Sequence, residues 1–165
     1  CGNTILKPQA EVTMQPGLYV FRDGYLQVQA GASLTGNAVT LFFYGQDTKM
    51  EVRGGGSLDL KAPTTGDLAS FVIVDRKLDW YDPSIRETVI QGGGRLRIEG
   101  ILYAPQWKVN ISGNGEINQE ADFFTMIADS FYMEGNGKLN ITSNAGAAGF
   151  PERMPKIKNG PVMLQ

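Results

Sequence analysis

The sequence predicts an all-β fold, a single-stranded right-handed parallel β-helix (solenoid) of about five rungs with irregular terminal caps. Three observations lead to this prediction. A seven-residue pattern recurs five times, apolar and polar residues alternate on both sides of it, and 21 of the 165 residues are glycine, nearly double the average share of about 7%. No segment has convincing helical periodicity with caps.

The recurring pattern, called the corner motif below, reads apolar, polar, small, Gly or Asn, small, polar, apolar. Its fourth position holds residues that adopt a left-handed backbone conformation at low cost, so we expect a tight corner there. The last residues of successive copies are 24, 38, 21 and 22 positions apart, which indicates an insertion in one interval. The five copies are Val28–Leu34, Val52–Leu58, Ile90–Leu96, Ile111–Ile117 and Met133–Leu139.

The corners favour stacked parallel strands over hairpins. A two-residue hairpin loop requires Asn-Gly or Asp-Gly at its centre, and a period near 22 is too short for a βαβ unit of roughly 30 residues. Stacking at about 4.8 Å per rung aligns the apolar corner residues in two interior ladders. The first ladder is Val28, Val52, Ile90, Ile111 and Met133, and the second is Leu34, Leu58, Leu96, Ile117 and Leu139.

The rest of the chain fits one domain, residues 1–165. We expect an N-terminal cap region over 1–16, repeat rungs over 17–142 and a proline-rich C-terminal cap or tail over 143–165. The long interval contains a charged and aromatic stretch, 75–83, which predicts a protruding loop, while Trp107 is expected to pack against the coil. Four apolar runs are expected to fill the remaining face, namely Val39–Tyr44, Phe71–Val74, Ile101–Tyr103 and Phe123–Ile127.

Composition excludes several functional classes. The chain has no histidine and one cysteine, which removes the commonest general base and any cysteine-cluster zinc site. Its net charge of -2 argues against nucleic acid as a partner. No apolar run approaches the roughly 18 residues of a membrane-spanning helix. We therefore expect no catalytic residues, no cofactor and no metal.

Five segments carry a further signal, and they follow one another in the order 15–20, 34–41, 62–66, 101–105 and Met126–Asp129. Together they resemble the C-terminal region of TadG-like proteins of bacterial Flp (tight-adherence) pilus systems. The resemblance implies a longer precursor with an N-terminal membrane helix, absent from this sequence, and membrane association only through that helix. It also implies an extracytoplasmic, non-enzymatic domain in pilus assembly or adherence, with an envelope or pilus-machinery protein as partner.

The predicted protruding loop supplies the candidate partner-binding residues, because exposed aromatic side chains beside charged ones are typical of interfaces. These residues are Asp79, Trp80, Tyr81 and Asp82. Presentation of this loop by a stiff coil is the function that we predict.

Two alternatives remain open. A polysaccharide-binding protein, or a polysaccharide lyase or hydrolase, would need clustered acids with an arginine base or paired carboxylates. A self-assembling scaffold of the bactofilin kind would stack solenoids end to end, and the proline-rich tail argues against it because a cap blocks stacking. Candidates for the enzymatic alternative are Asp75, Asp79, Asp82 and Glu87 with Arg76 or Arg86.

Overall fold

The computed structural model describes residues 3–76, 78–79, 86–117 and 121–150. Its described residues form an all-β solenoid of parallel strands with about 5 turns, which confirms the predicted fold class. The strands are β1 (Thr4–Leu6), β2 (Glu11–Met14) and β3 (Gly17–Arg22) in the first turn; β4 (Tyr25–Val28), β5 (Ser33–Gly36) and β6 (Val39–Tyr44) in the second; β7 (Lys49–Arg53), β8 (Ser57–Lys61) and β9 (Phe71–Asp75) in the third; and β10 (Glu87–Gln91), β11 (Arg95–Ser112), β12 (Glu116–Ile117), β13 (Phe124–Met133) and β14 (Lys138–Leu139) in the remainder.

Each strand pairs in parallel with its equivalents in the neighbouring turns, which produces three sheets. Sheet 1 contains β1, β4, β7, β10 and the C-terminal parts of β11 and β13. Sheet 2 contains β2, β5, β8, the N-terminal part of β11, β12 and β14. Sheet 3 contains β3, β6, β9, the middle of β11 and the N-terminal part of β13. The 18 residues of β11 therefore pass through all three sheets.

Both predicted interior ladders are present in register. Val28, Val52, Ile90, Ile111 and Met133 align across sheet 1, and Leu34, Leu58, Leu96, Ile117 and Leu139 align across sheet 2. The central members are buried, with exposures of 0–3%, whereas Met133 in the last turn is 50% exposed. No further turn among the described residues covers Met133.

Aromatic residues fill the core behind sheet 3. The predicted burial of Trp107 is confirmed, because its side chain is fully buried and its ring lies edge-on to Phe43 at 4.9 Å. Phe43 also stacks on Phe21 at 4.8 Å. The four apolar runs assigned to the remaining face form strands of this sheet, as predicted.

The expected N-terminal cap over residues 1–16 is wrong for its described part. β1 pairs with β4 and β2 pairs with β5, so this segment belongs to the first turn. A sixth corner, Leu6–Val12, connects the two strands. This corner contains no glycine. Pro8 fixes a suitable φ and Gln9 adopts the left-handed conformation, with φ of 64°, so the corner forms without one.

The corner geometry differs in part from the prediction. The fourth position is left-handed in three of the five predicted copies, but not in those with Asn114 and Asn136. In those two copies the glycine at the third position is left-handed instead, with φ of 60° at Gly113 and 65° at Gly135. Glycine has no Cβ to oppose this conformation, so it takes the positive φ in preference to asparagine.

The long interval contains two insertions rather than the single predicted loop. One, 62–70, connects β8 to β9, and the other, 76–86, connects β9 to β10. Asp75, which was expected in the loop, is instead the last residue of β9 and is fully buried.

The segment 143–150 packs along the side of the solenoid. Ala148 and Phe150 join the hydrophobic core, and the Phe150 ring lies 5.5 Å from that of Phe123. Lys61, at the end of β8, lies over the same ring at 5.9 Å. The described part of the expected C-terminal cap therefore reaches back toward the third turn, and residues 151–165 lie outside the described residues.

A candidate partner-binding loop and its buried stem

The predicted partner-binding residues belong to the insertion between β9 and β10. Asp79 is exposed, as a partner contact requires. Trp80, Tyr81 and Asp82 lie outside the described residues. What the structure describes is the stem of this loop, meaning the residues at its two ends and the side chains that hold them.

A buried ion pair joins the two ends of the loop. Arg86 Nη2 donates to Asp75 Oδ2, and both side chains are fully buried. The second guanidinium nitrogen, Nη1, donates to the carbonyl oxygen of Gly45 at 2.6 Å. Thr48 Oγ1 lies 3.1 Å from Asp75 Oδ1. The residue before the loop and its last residue are thereby fixed against each other and against the turn after β6.

A second set of contacts fixes the first residues of the loop. The side-chain amide of Gln106 accepts from the backbone N–H of Leu78 at 2.7 Å and donates to the Leu78 carbonyl at 2.8 Å. The backbone N–H of Arg76 donates to the Phe43 carbonyl at 3.0 Å. The Arg76 guanidinium also lies 4.8 Å from the centre of the Tyr44 ring. The loop is therefore held at the residue before Asp79.

The structure rules out surface catalytic roles for Asp75 and Arg86, which the enzymatic alternative proposed. Both are buried and paired with each other, so neither can contact a polymer that lies along the outside of the coil. Glu87 is half-buried and lies 3.6 Å from Lys108 Nζ, while the Asn110 amide donates to it at 3.1 Å. Charged residues are seldom fully buried unless they are paired, which is why the sequence indicated a surface position for Asp75 and Arg86.

The residues that hold the stem give no local signal in the sequence. Thr48 and Gln106 are 27 and 28 positions away from the residues that they bind. Neither belongs to the corner motif or to the resemblance. Only the stacking of turns brings them to the loop.

The environment of Asp75 affects its protonation. Burial raises the pKa of this carboxyl above its ordinary value of 3.8, while the Arg86 charge and the hydrogen bonds from Arg86 and Thr48 act in the opposite direction. Burial has the larger effect, so the native state binds this proton more tightly than the unfolded chain does.

We expect the free energy of unfolding to show this through its pH dependence. The difference in free energy of unfolding between the wild type and Asp75→Asn is largest at pH values below the pKa of Asp75 in the unfolded chain. It declines as the pH rises through the higher pKa of Asp75 in the folded protein. Above that value the difference is constant. Urea denaturation of both proteins across the acidic range measures it, and a difference that grows with pH would show that Arg86 outweighs burial.

Within the described ranges, no group of three or more cysteine, aspartate and glutamate side chains is placed to hold a metal ion. The same residues include no helix with the length and hydropathy needed to cross a bilayer. The fold places the chain among the parallel β-solenoid proteins. Its stem shows a braced loop, meaning a loop whose ends are fixed by side chains from other turns. No family model, no curated protein and no solved structure matches the chain.

Proposed function

We propose that this chain is a non-catalytic, extracytoplasmic module of a Flp-type pilus assembly or adherence system, and that it presents loop 76–86 to a protein of the cell envelope. The observation that carries the proposal is the braced stem. A solenoid requires only short corners between its sheets, and this loop is held by side chains from three different parts of the chain, namely Thr48, Arg86 and Gln106.

A braced loop suits binding better than a loose one. Association costs conformational entropy for each segment that becomes ordered at the interface, so a loop already fixed at both ends retains more of its binding free energy. The exposed carboxylate of Asp79 and the aromatic residues next to it in the sequence provide the charged and amphipathic side chains that protein interfaces favour.

The system and the location rest on the sequence resemblance. The segments that resemble TadG-like proteins lie in order between residues 15 and 129, and they include parts of the strands of sheet 3 and the first five residues of the insertion at 62–70. They support an envelope or pilus-machinery protein as the partner and an extracytoplasmic location.

Capture from an envelope extract tests the proposal. The purified chain is compared with a triple variant, Asp79→Ala, Trp80→Ala and Tyr81→Ala, and bound proteins are identified by mass spectrometry. The other insertion provides a matched control, Thr65→Ala with Asp67→Ala, since both residues are exposed. We expect wild type and control to capture the same pilus-machinery protein, and the triple variant to lose at least tenfold in the amount bound.

Three outcomes contradict the proposal. Equal capture by the triple variant would remove the loop from the interface. Equal loss in two variants whose circular dichroism spectra match that of the wild type would show that capture does not depend specifically on this loop. Retention of polysaccharide alone by all three proteins would favour the polysaccharide-binding alternative.

A further inference from the structure

The first and last turns leave the interior ladders unfinished. Val12 is 40% exposed although Leu34, its aligned neighbour in the second turn, is 3% exposed. Met133 is 50% exposed although its aligned neighbour Ile111 is fully buried. Within the described residues, the first-turn end of sheet 2 and the last-turn end of sheet 1 therefore each present an apolar side chain in a position that a further turn would cover. The other two end positions are less open, because Leu6 is 6% exposed and Leu139 is half-buried.

The charges at the two ends of the corner stack are complementary. The second position of the corner is Lys7 in the first turn and Glu134 in the last, and the sixth position is Glu11 in the first turn and Lys138 in the last. Side chains at the sixth position contact each other in successive turns, as Lys138 Nζ does with Glu116 Oε1 at 3.0 Å. Residues at the second position align in register, as Gln91 does with Arg53 and Ser112. A first turn stacked on a last turn would thus form two pairs of opposite charge.

Uncharged positions continue across the same junction. The Asn136 amide donates to Asn114 at 3.2 Å, and Gln9 occupies the equivalent position in the first turn, so it would extend this amide ladder. Tyr132 and Ile5 are equivalent positions on the outer face of sheet 1, and both are exposed apolar side chains, at 55% and 36%. Stacking would bring them together.

Backbone hydrogen bonds between stacked corners can also continue across the junction. In every stacked pair of corners the N–H of the sixth position donates to the carbonyl of the fifth position one turn earlier, as from Lys138 to Gly115 at 2.9 Å. Applied to two molecules, this rule places the N–H of Glu11 in one copy against the carbonyl of Gly137 in the preceding copy.

We propose that the occupant of these ends is a second copy of this chain, docked head to tail with its first turn on the last turn of its neighbour. Among the described residues, sheet 3 ends one turn before sheets 1 and 2, so the junction is made by sheets 1 and 2 and the corner between them. The two surfaces differ, so the contact is heterologous and repeats into a single-width filament. The proline-rich tail was the reason to expect a blocked end, yet its described part, 143–150, packs along the side.

The test uses the chain of 165 residues. Sedimentation velocity over a concentration series is expected to show an average mass that rises without a plateau at the dimer, and electron microscopy is expected to show filaments one solenoid wide. Lys7→Glu places like charges together at the junction, and we expect it to raise the dissociation constant about tenfold.

Charge exchange makes the test specific. The double variant Lys7→Glu, Glu134→Lys restores opposite charges and is expected to recover wild-type association. A mixture of the single variants Lys7→Glu and Glu134→Lys is expected to recover association as well. The first turn of one variant then meets the last turn of the other, and each such junction pairs opposite charges at positions 7 and 134. The control Arg97→Glu makes the same change in charge on the outer face of sheet 2, in the middle of the solenoid, and is expected to associate as wild type does.

Four results would overturn the proposal. They are a monomer at all concentrations, a mass that stops at the dimer, equal effects of Lys7→Glu and Arg97→Glu, and association that begins only after residues 151–165 are removed, which would make the tail the occupant of the end. The proposal does not depend on loop 76–86, so the triple loop variant is expected to associate normally even where it fails to capture a partner.

Discussion

Replacing Asp75 with alanine is expected to lower the free energy of unfolding by about 3–5 kcal/mol. The substitution leaves the Arg86 guanidinium buried without its carboxylate, and the desolvation of that charge is then no longer offset. Thr48 also loses the carboxylate oxygen that lies 3.1 Å from its hydroxyl. Chemical denaturation at neutral pH measures the loss.

Two further variants separate the buried pair from charge pairs in general. The double variant Asp75→Leu, Arg86→Met replaces both charged side chains with apolar ones and is expected to lie within about 2 kcal/mol of wild type, because an apolar pair often replaces a buried ion pair without loss. Asp59→Ala breaks an exposed pair with Arg97, in which the charged atoms are 3.4 Å apart, and is expected to cost less than about 1 kcal/mol. An Asp75→Ala variant no less stable than Asp59→Ala would contradict the assignment of a buried stem.

The second large effect is expected at the fifth position of the corner. In Gly56→Ala the new Cβ would lie 2.8 Å from the carbonyl oxygen of Val28 and 2.9 Å from that of Gln29, both in the turn below. These are backbone atoms at the end of a paired strand, which cannot move without disturbing sheet 1. We expect a loss of about 3 kcal/mol in the free energy of unfolding, as for other overpacked sites.

The neighbouring glycine is the matched control. At Gly55 the φ of 77° disfavours a side chain, but no atom would lie within 4 Å of an added Cβ, so only backbone strain opposes the substitution. Gly55→Ala is expected to cost about 1 kcal/mol, partly offset by the lower entropy of the unfolded chain. Thermal denaturation of both variants tests the contrast, and equal costs would show that the turn below does not crowd position 56.

The repeat was predictable because it depends on residue types that recur at a regular spacing in the sequence. Ladder residues such as Val52 and Leu58 are apolar at fixed positions around each corner, so their alignment follows from stacking alone. The first turn escaped recognition because its corner obtains the required backbone conformation from Pro8 and Gln9 rather than from glycine. Different residue types can therefore form the same corner conformation.

The stem of the loop was not predictable for a different reason. Its bonds join Thr48 to Asp75 and Gln106 to Leu78, which are distant in sequence and follow no period. The loop containing Asp79 was predicted from the length of one interval. The burial of Asp75 and Arg86 depends on side chains contributed by other turns, and a single sequence does not contain that information.

The way the loop is attached has a mechanical consequence. Its stem is bonded to Gly45 after the second turn, to Asp75 at the end of the third and to Gln106 where the fourth turn meets the fifth. Solenoids are held together chiefly by contacts between adjacent turns, so a force on a single strand peels turns away one at a time. A force applied to this loop is instead shared by several turns at once. The loop can therefore transmit a pulling force to the solenoid without separating its turns one by one.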